Sequence, residues 1–127
     1  MRKQLVAAVL AAGFIGCAGI VYGHHSFGAY FLIDETTIVE GVVTEFWFAN
    51  PHARIYLQVT NEDGDVEEWM AEGASRNVLT RRGWSQDTIK PGLELVVQGN
   101  PSRDGSNAIG WRLLTTLDGA EVGPSEN

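Results

Sequence analysis

The sequence predicts a mainly β domain, and three features of the chain support that fold class. Five segments of seven to twelve residues are rich in β-branched and aromatic side chains. Turn signals built on glycine, proline, asparagine and aspartate separate them. One short segment between the third and fourth predicted strands carries the capping residues of a helix. This order predicts a small five-stranded barrel of the OB type. An open β-sandwich or meander with one helix is the alternative.

The first predicted strand is long and covers residues 37–48, after a short arm at residues 24–36. Gly41 lies inside this strand, and a glycine within a strand indicates a bulge or a sharp bend. Asn50-Pro51 is a turn signal that ends the strand.

The second and third predicted strands form a hairpin. Residues 54–60 place an apolar side chain at every second position from Ile55, so one face of this strand is predicted to be buried. Asp63-Gly64 is a strong signal for a tight turn, and the chain returns as a third strand at residues 66–72.

A short helix is predicted between the third and fourth strands. Ser75 has the side chain of an N-cap, and residues 76–82 follow as the helix. Val78 and Leu79 are expected to face inward, and Gly83 is the C-terminal stop.

The last two strands are separated by a polar loop. Ser85 to Asp87 predicts a turn, and Lys90-Pro91-Gly92 leads into the fourth strand at residues 93–99. A hairpin loop at 101–107 then precedes the fifth strand at 108–116.

The N-terminal residues 1–23 are typical of a secretory leader. Arg2 and Lys3 form the positive region, and an uncharged apolar run follows at residues 5–21. That run of 17 residues is slightly too short for a membrane span, although an uncleaved anchor is an alternative. Cleavage is predicted after Gly23, which makes the protein secreted or periplasmic.

Cleavage at this point defines the mature protein. Residues 24–122 form the single predicted domain, and residues 123–127 form a polar tail that is expected to be disordered. No cysteine remains, so the domain must be stable without a disulfide. Cys17 offers an alternative, since lipidation there would start the mature chain at Cys17 and attach it to a membrane.

The charge of the chain excludes one class of partner. The formal net charge is −7, and removal of Arg2 and Lys3 leaves seven basic against 16 acidic residues, or −9. General nucleic-acid binding depends on neutralising phosphates, so it is not expected. A cation, a neutral ligand or a basic periplasmic protein remains a suitable partner.

Six short motifs resemble those of a family of small secreted bacterial proteins of unknown function. They are His24-His25-Ser26-Phe27, Ala49-Asn50-Pro51-His52, Gly73-Ala74-Ser75, Arg81-Arg82-Gly83-Trp84, Lys90-Pro91-Gly92 and Asp104-Gly105-Ser106. The resemblance covers essentially the whole mature chain and implies an OB-like fold and a secreted location, but no activity. Ala53-Arg54 departs from the family pattern, in which an aromatic or aliphatic residue follows the histidine.

The histidines are the strongest candidates for a ligand site. After cleavage His24 would carry both a free amine and an imidazole, and His25 would add a second imidazole. These nitrogen donors suit Cu(II), and with His52 they would also suit Zn(II) with an open position. Further candidate donors are the side chains of Asn50, Met70 and Glu72. Alternatively, the histidine pair is a polar start of the chain, and His52 donates a hydrogen bond to a carbonyl.

An aromatic set gives a second hypothesis. Its members are Trp47, Phe48, Tyr56, Trp69 and Trp84. Barrels of this type bind ligands across strands two and three, so Trp69 and Trp84 are candidates to stack on a ligand, with Arg76 to hold an anion. At least three of the five aromatic residues are expected to be buried, and a solvated helix face is the simpler interpretation of Arg76.

The sequence therefore predicts a binding or accessory domain rather than an enzyme. No nucleophile–base pair and no glycine-rich phosphate loop can be recognised in the sequence. The leading hypothesis is a copper-binding module that uses His24, His25 and His52. The alternative is a metal-free module that docks a protein or small molecule on its aromatic face. A copper oxidoreductase that uses the terminal histidine is a third hypothesis.

Overall fold

The computed structural model describes residues 26–124. The predicted leader, Cys17, the histidine pair His24-His25 and residues 125–127 lie outside the described residues. The elements, in chain order, are α1 (Ser26–Tyr30), β1 (Thr37–Trp47), β2 (Arg54–Thr60), β3 (Val66–Glu72), α2 (Arg76–Arg81), a 3-10 turn (Gln86–Thr88), β4 (Glu94–Pro101) and β5 (Ala108–Thr115).

The five strands close into a barrel in the order β1-β2-β3-β5-β4. β4 pairs back onto β1, and every pairing is antiparallel except that of β3 with β5. This closed arrangement is that of the OB fold, so the predicted barrel is confirmed and the open sandwich is excluded.

β1 closes the barrel because its two halves pair with different strands. Residues 37–42 pair with β4, and residues 42–47 pair with β2. The register shift lies between Val43 and Glu45, and not at Gly41, where a bulge was one of the two predictions. A Cβ at Gly41 would lie 2.6 Å from the carbonyl oxygen of Gln58, so glycine is needed there for close backbone approach.

The core fills the barrel with the inward side chains of all five strands. Ile55, Leu57, Leu95, Val97 and Ile109 are completely buried. α2 covers one end of this core with Leu79, and Ser75 is its N-cap, since the Ser75 hydroxyl accepts a hydrogen bond from the Val78 amide at 3.3 Å. Because the strands alternate, the outward side chains of β2 and β3 remain available for a site.

The N-terminal arm contains a helix that the sequence does not predict. It contains the five-residue helix α1 and continues along the β4–β5 hairpin, where Phe31 is only 2% exposed. The Leu32 amide donates to the Pro101 carbonyl at 2.9 Å, and the Arg103 amide donates to the Tyr30 carbonyl at 2.8 Å. The arm is therefore packed on the barrel as a part of the fold.

Candidate functional site: a groove beneath the N-terminal arm

A groove of about 570 Å³ lies between α1, the outer face of β2 and β3, and the β4–β5 loop. We call it the arm groove. Tyr30 and Met70 give part of its apolar lining. Its polar and charged lining comes from His52, Arg54, Glu72, Ser102, Arg103, Asp104 and Ser106.

The position of the arm groove is the usual ligand position of this fold. OB barrels bind their ligands on the face of strands two and three, between the β1–β2 and β4–β5 loops. Here His52 belongs to the β1–β2 loop, and residues 102–106 of the β4–β5 loop form the opposite wall. The fold and the cavity therefore indicate the same surface.

His52 enters the groove with one ring nitrogen already committed. Its Nδ1 lies 3.2 Å from the carbonyl oxygen of Gly73, and a carbonyl only accepts, so Nδ1 carries the hydrogen and donates it. The neutral ring then has its lone pair on Nε2. No residue among 26–124 gives Nε2 a hydrogen-bond partner. A backbone carbonyl that fixes the tautomer in this way is the common outer partner of a metal-binding histidine.

Glu72 places a carboxylate in the same groove. The residue is 8% exposed, and its Oε2 lies 3.1 Å from Nε of Arg54 in an ion pair. Burial lowers the pKa of Arg54, but its hydrogen bonds to Glu72 and Tyr56 outweigh burial and hold that pKa above the ordinary value. The Arg54 guanidinium also lies over the ring of Trp47, 5.2 Å from its centroid.

The strand register explains why Arg54 and Glu72 share one face, because they are opposite each other on β2 and β3. His52 lies two residues before β2 begins and lines the same groove.

The start of the arm is fixed close to the same face. Phe27 sits over Gly110, where a Cβ would lie 2.2 Å from the ring, and the Arg112 guanidinium lies 5.3 Å from the ring centroid. Nε of Arg103 donates to the Gly28 carbonyl at 2.7 Å. Gly110 is the register partner of Glu72 across β3 and β5. The chain therefore enters α1 one strand away from the groove carboxylate.

The described part of the chain does not form a complete metal site. Residues 26–124 contain no group of three or more histidine, cysteine, aspartate or glutamate side chains that could hold a metal ion. Of these residue types, the arm groove contains His52, Glu72 and Asp104. None of the helices in this range is long and apolar enough to cross a membrane.

The other two predicted donors differ in their surroundings. The Asn50 side chain donates to Oδ1 of Asn77 at 3.1 Å and accepts from the Asn77 amide at 3.2 Å, which ties the corner to α2. Met70 lines the arm groove, so its sulfur remains a candidate soft donor.

The candidate aromatic residues belong mostly to the packing of the barrel. Trp84 stacks on Trp111, with ring centroids 6.3 Å apart, and Trp69 packs against the core with its Nε1 buried and unpartnered within residues 26–124. Phe48 also packs against the core, so three of the five rings contribute to the core while each keeps partial exposure. Trp47 is 40% exposed.

Arg76 lies apart from the arm groove. It is exposed on α2, a helix of six residues, and its amide donates to the Ala49 carbonyl at 3.0 Å. Neither Arg76 nor Trp69 nor Trp84 lines the groove. The structure therefore does not bring these three candidates together at the cavity that contains His52.

The Arg54–Glu72 pair is the main part of the groove that sequence reasoning missed. The sequence marked Arg54 only as a departure from a family pattern and Glu72 only as a spare oxygen donor. The hairpin contains the missing signal, because the Thr60–Val66 pairing next to the Asp63-Gly64 turn fixes the Arg54–Glu72 pairing six residues further along.

Comparison with known proteins gives a family and two structural likenesses. A family of unknown function, DUF6152, matches residues 13–111. No curated protein matches the chain. The mitochondrial single-stranded DNA binding protein Rim1 of S. cerevisiae is similar at 10% identity and a TM-score of 0.49, over 70% of this chain and 96% of that one. The small single-stranded DNA-binding protein of Streptomyces coelicolor is similar at 17% identity and a TM-score of 0.42, over 65% and 90%. Both scores are below 0.5, so neither neighbour indicates what this chain binds.

Proposed function

The chain belongs to the family of unknown function DUF6152, and from that premise we propose that it is a periplasmic metal-binding domain. Its site is the arm groove, its metal is a transition ion with Cu(II) first, and its ligands are His52 and the terminal histidines His24 and His25. The role is binding or accessory, and the leader at residues 1–23 delivers the domain to the periplasm.

The hydrogen-bonding arrangement of the His52 ring is the observation that carries the proposal. Its Nδ1 is held by the Gly73 carbonyl at 3.2 Å, and its Nε2 is left without a partner among residues 26–124 at the wall of a groove. The hydrogen bond to the Gly73 carbonyl is the one that the alternative interpretation of the sequence predicted for His52, and the position of the ring at the wall of a cavity is what favours a ligand role beside it. A histidine in this tautomer offers a lone pair that a metal can use.

The arm supports the participation of the terminal histidines. α1 lines the groove with Tyr30, and His24 and His25 directly precede α1 in the sequence. An extended chain covers roughly 3.5 Å per residue, so two residues before Ser26 span at most about 7 Å. Neighbouring strands are about 4.8 Å apart, and Phe27 lies over Gly110, the register partner of Glu72, so the start of α1 is about one strand from that carboxylate.

The donor types favour copper. A terminal amine, the imidazole of His24 and the imidazole of His25 are nitrogen donors that fit the tetragonal preference of Cu(II). His52 would add a fourth nitrogen from the barrel. Zn(II) accepts the same imidazoles in a tetrahedral arrangement, and it is the competing ion to test.

The test is native mass spectrometry of the protein secreted with its own leader, before and after addition of limiting Cu(II). We expect a mass that begins at His24 and one copper retained against a weak competing chelator, and we expect His52→Ala to lose that copper. The matched control is a chain with one glycine added before His24, which keeps all three imidazoles but moves the amine. A mass that begins at Cys17, or copper retention that is unchanged in His52→Ala, would refute the proposal.

Binding of a small molecule without a metal is the second candidate function, and the volume of the arm groove favours it. About 570 Å³ is within the range of small-molecule sites, and Tyr30, Met70 and Ala108 give the groove an apolar lining beside the charged groups. This function would not need the free amine of His24, so the glycine-extended chain would bind such a ligand as well as the unmodified chain does.

A further inference from the structure

We propose that the arm groove binds a small organic monocarboxylate with an apolar body, and that the guanidinium of Arg103 recognises its carboxylate. The inference deepens the second candidate function and rests on it, because it names the class of small molecule that the groove takes. It uses only residues between 26 and 124, and it needs no metal.

Arg103 contributes a positive charge to the groove that no carboxylate among residues 26–124 pairs with. Its Nε donates to the Gly28 carbonyl at 2.7 Å, and its amide donates to the Tyr30 carbonyl at 2.8 Å. The side chain is therefore held between the β4–β5 loop and α1, while the two terminal nitrogens of the guanidinium have no partner in this part of the chain. Two such nitrogens form a fork that matches the two oxygens of a carboxylate.

The other charged side chains of the groove are already committed. Nε of Arg54 and Oε2 of Glu72 form an ion pair at 3.1 Å. The Asp104 carboxylate accepts from the Ser106 amide at 3.0 Å, and hydrogen bonds from Ser106 and Ser102 hold the pKa of Asp104 below its ordinary value. Asp104 is thus bonded within its own loop, and Arg103 leaves one cation for a ligand.

The surroundings favour a ligand with a single negative charge. The whole chain carries a formal charge of −7, and the carboxylates of Glu72 and Asp104 lie in the groove lining itself. A dianion such as a phosphate monoester would be repelled by these carboxylates and would find one unpaired guanidinium for two charges. A monocarboxylate matches the one charge that Arg103 offers.

The remaining lining suits an apolar and preferably aromatic body. Tyr30, Phe31, Met70 and Ala108 contribute to it. The Tyr30 side chain is 66% exposed, so its ring is available to stack on a ligand ring, and the flexible thioether of Met70 adapts to such a ring. A volume of about 570 Å³ is sufficient for a molecule of this kind. An arylalkanoic acid combines these properties.

The experiment titrates the metal-free mature protein with phenylacetate and with its neutral amide, phenylacetamide, as the matched ligand. Chemical shifts of the groove residues in ¹H–¹⁵N NMR spectra give both dissociation constants. Because Arg103 is exposed, we expect the acid to bind about fivefold more tightly than the amide at low salt, the upper end of what an exposed ion pair contributes. High salt should reduce this ratio by screening the charges.

Three variants separate the charge from the packing. Arg103→Met should lower the affinity for the acid to that for the amide. Arg81→Met is the matched control, since it removes the same charge from an exposed position on α2. Tyr30→Ala should weaken binding of both compounds alike, because it removes a stacking surface and no charge. If Arg103→Met detaches the arm, which loss of amide binding would reveal, the salt dependence of the acid-to-amide ratio in the unmodified protein decides the question.

A preference for the acid that is lost in Arg103→Met and kept in Arg81→Met supports the inference. Equal affinities for acid and amide, or a preference that survives Arg103→Met, overturn the inference and leave small-molecule binding in the groove in place. If neither compound shifts the groove resonances at millimolar concentration, the inference and the second candidate function both fail. Copper retention in native mass spectrometry tests the leading proposal independently, because it needs no organic acid.

Discussion

Replacement of Gly110 by alanine should release the N-terminal arm while leaving the barrel closed. The Cβ of an alanine at this position would lie 2.2 Å from Cζ and 2.8 Å from Cε2 of the Phe27 ring. Carbon atoms prefer a separation of about 3.5–4.0 Å, so the ring must move by more than ~1 Å. The new methyl group meets the arm and not the barrel core, because the conflict is with Phe27.

The size of this effect follows from the packing of the arm. An extra methyl group in a packed contact costs about 1–3 kcal/mol. For a domain of this length each kcal/mol lowers Tm by roughly 4–8 °C. The substitution should also weaken the ring contact between Phe27 and Phe31, whose centroids are 4.7 Å apart, and expose the arm amides to exchange.

The assay is amide hydrogen exchange of residues 28–35 together with a thermal melt. Gly28→Ala is the matched control, since a Cβ there meets only Ile33 at 3.9 Å and lies in the same arm. We expect faster exchange at Phe31 and Leu32 and a lower Tm in Gly110→Ala, with neither change in Gly28→Ala. Unchanged exchange and Tm in Gly110→Ala would refute the reasoning that Phe27 on Gly110 holds the arm.

Three further predictions concern stability and charge. Ile55→Ala should reduce the free energy of unfolding in urea by about 2–5 kcal/mol, because Ile55 is completely buried, whereas the exposed Val66→Ala should change it by less than about 0.5 kcal/mol. Ser75→Ala should cost about 1 kcal/mol in the same assay through loss of the α2 N-cap, and an unchanged value would contradict the cap. Hydrogen bonds from Ser106 hold the pKa of Asp104 below its ordinary value, so this carboxylate stabilises the β4–β5 loop above about pH 4 and loses that effect as pH falls through the lowered pKa. An NMR titration should show this low midpoint and its rise in Ser106→Ala.

Local patterns predicted the elements that local interactions determine. The bounds of β2 and β3 match the predicted residues 54–60 and 66–72, because the alternation in β2 and the Asp63-Gly64 turn leave one register. β4 extends to Pro101, two residues past its predicted end, because pairing with β5 continues to Ile109. That pairing depends on tertiary structure and has no signal in the segment itself.

α1 was not predicted for a similar reason. Five residues are too few for a helical period to show, and the helix is held by the fit of Phe27 on Gly110, 83 residues away in the chain. Likewise, Gly41 was expected at a bulge, but its role is the close approach of Gln58 from the neighbouring strand.

The candidate site was predicted only in part. His52 was identified from its residue type and its position at a corner, and the structure places it at the wall of a groove. The groove itself depends on the closure of the barrel, which brings the β1–β2 loop and the β4–β5 loop to one side of β2 and β3. Trp69 and Trp84 were candidates to stack on a ligand. Both pack against the core away from the arm groove, and Trp84 lines a separate cavity beside Trp111.

The central claim is that His52 in the arm groove, and not the chain terminus alone, binds the metal. The most direct measurement is a ¹H–¹⁵N NMR spectrum of the mature protein with one equivalent of Cu(II), whose paramagnetism broadens nearby resonances. We expect signals of His52, Glu72 and Gly73 to disappear together with those of the first arm residues, while signals of the β2–β3 turn at residues 61–65, at the opposite ends of these strands, remain. Broadening confined to the residues next to His24, with His52 and Gly73 unaffected, would contradict the claim.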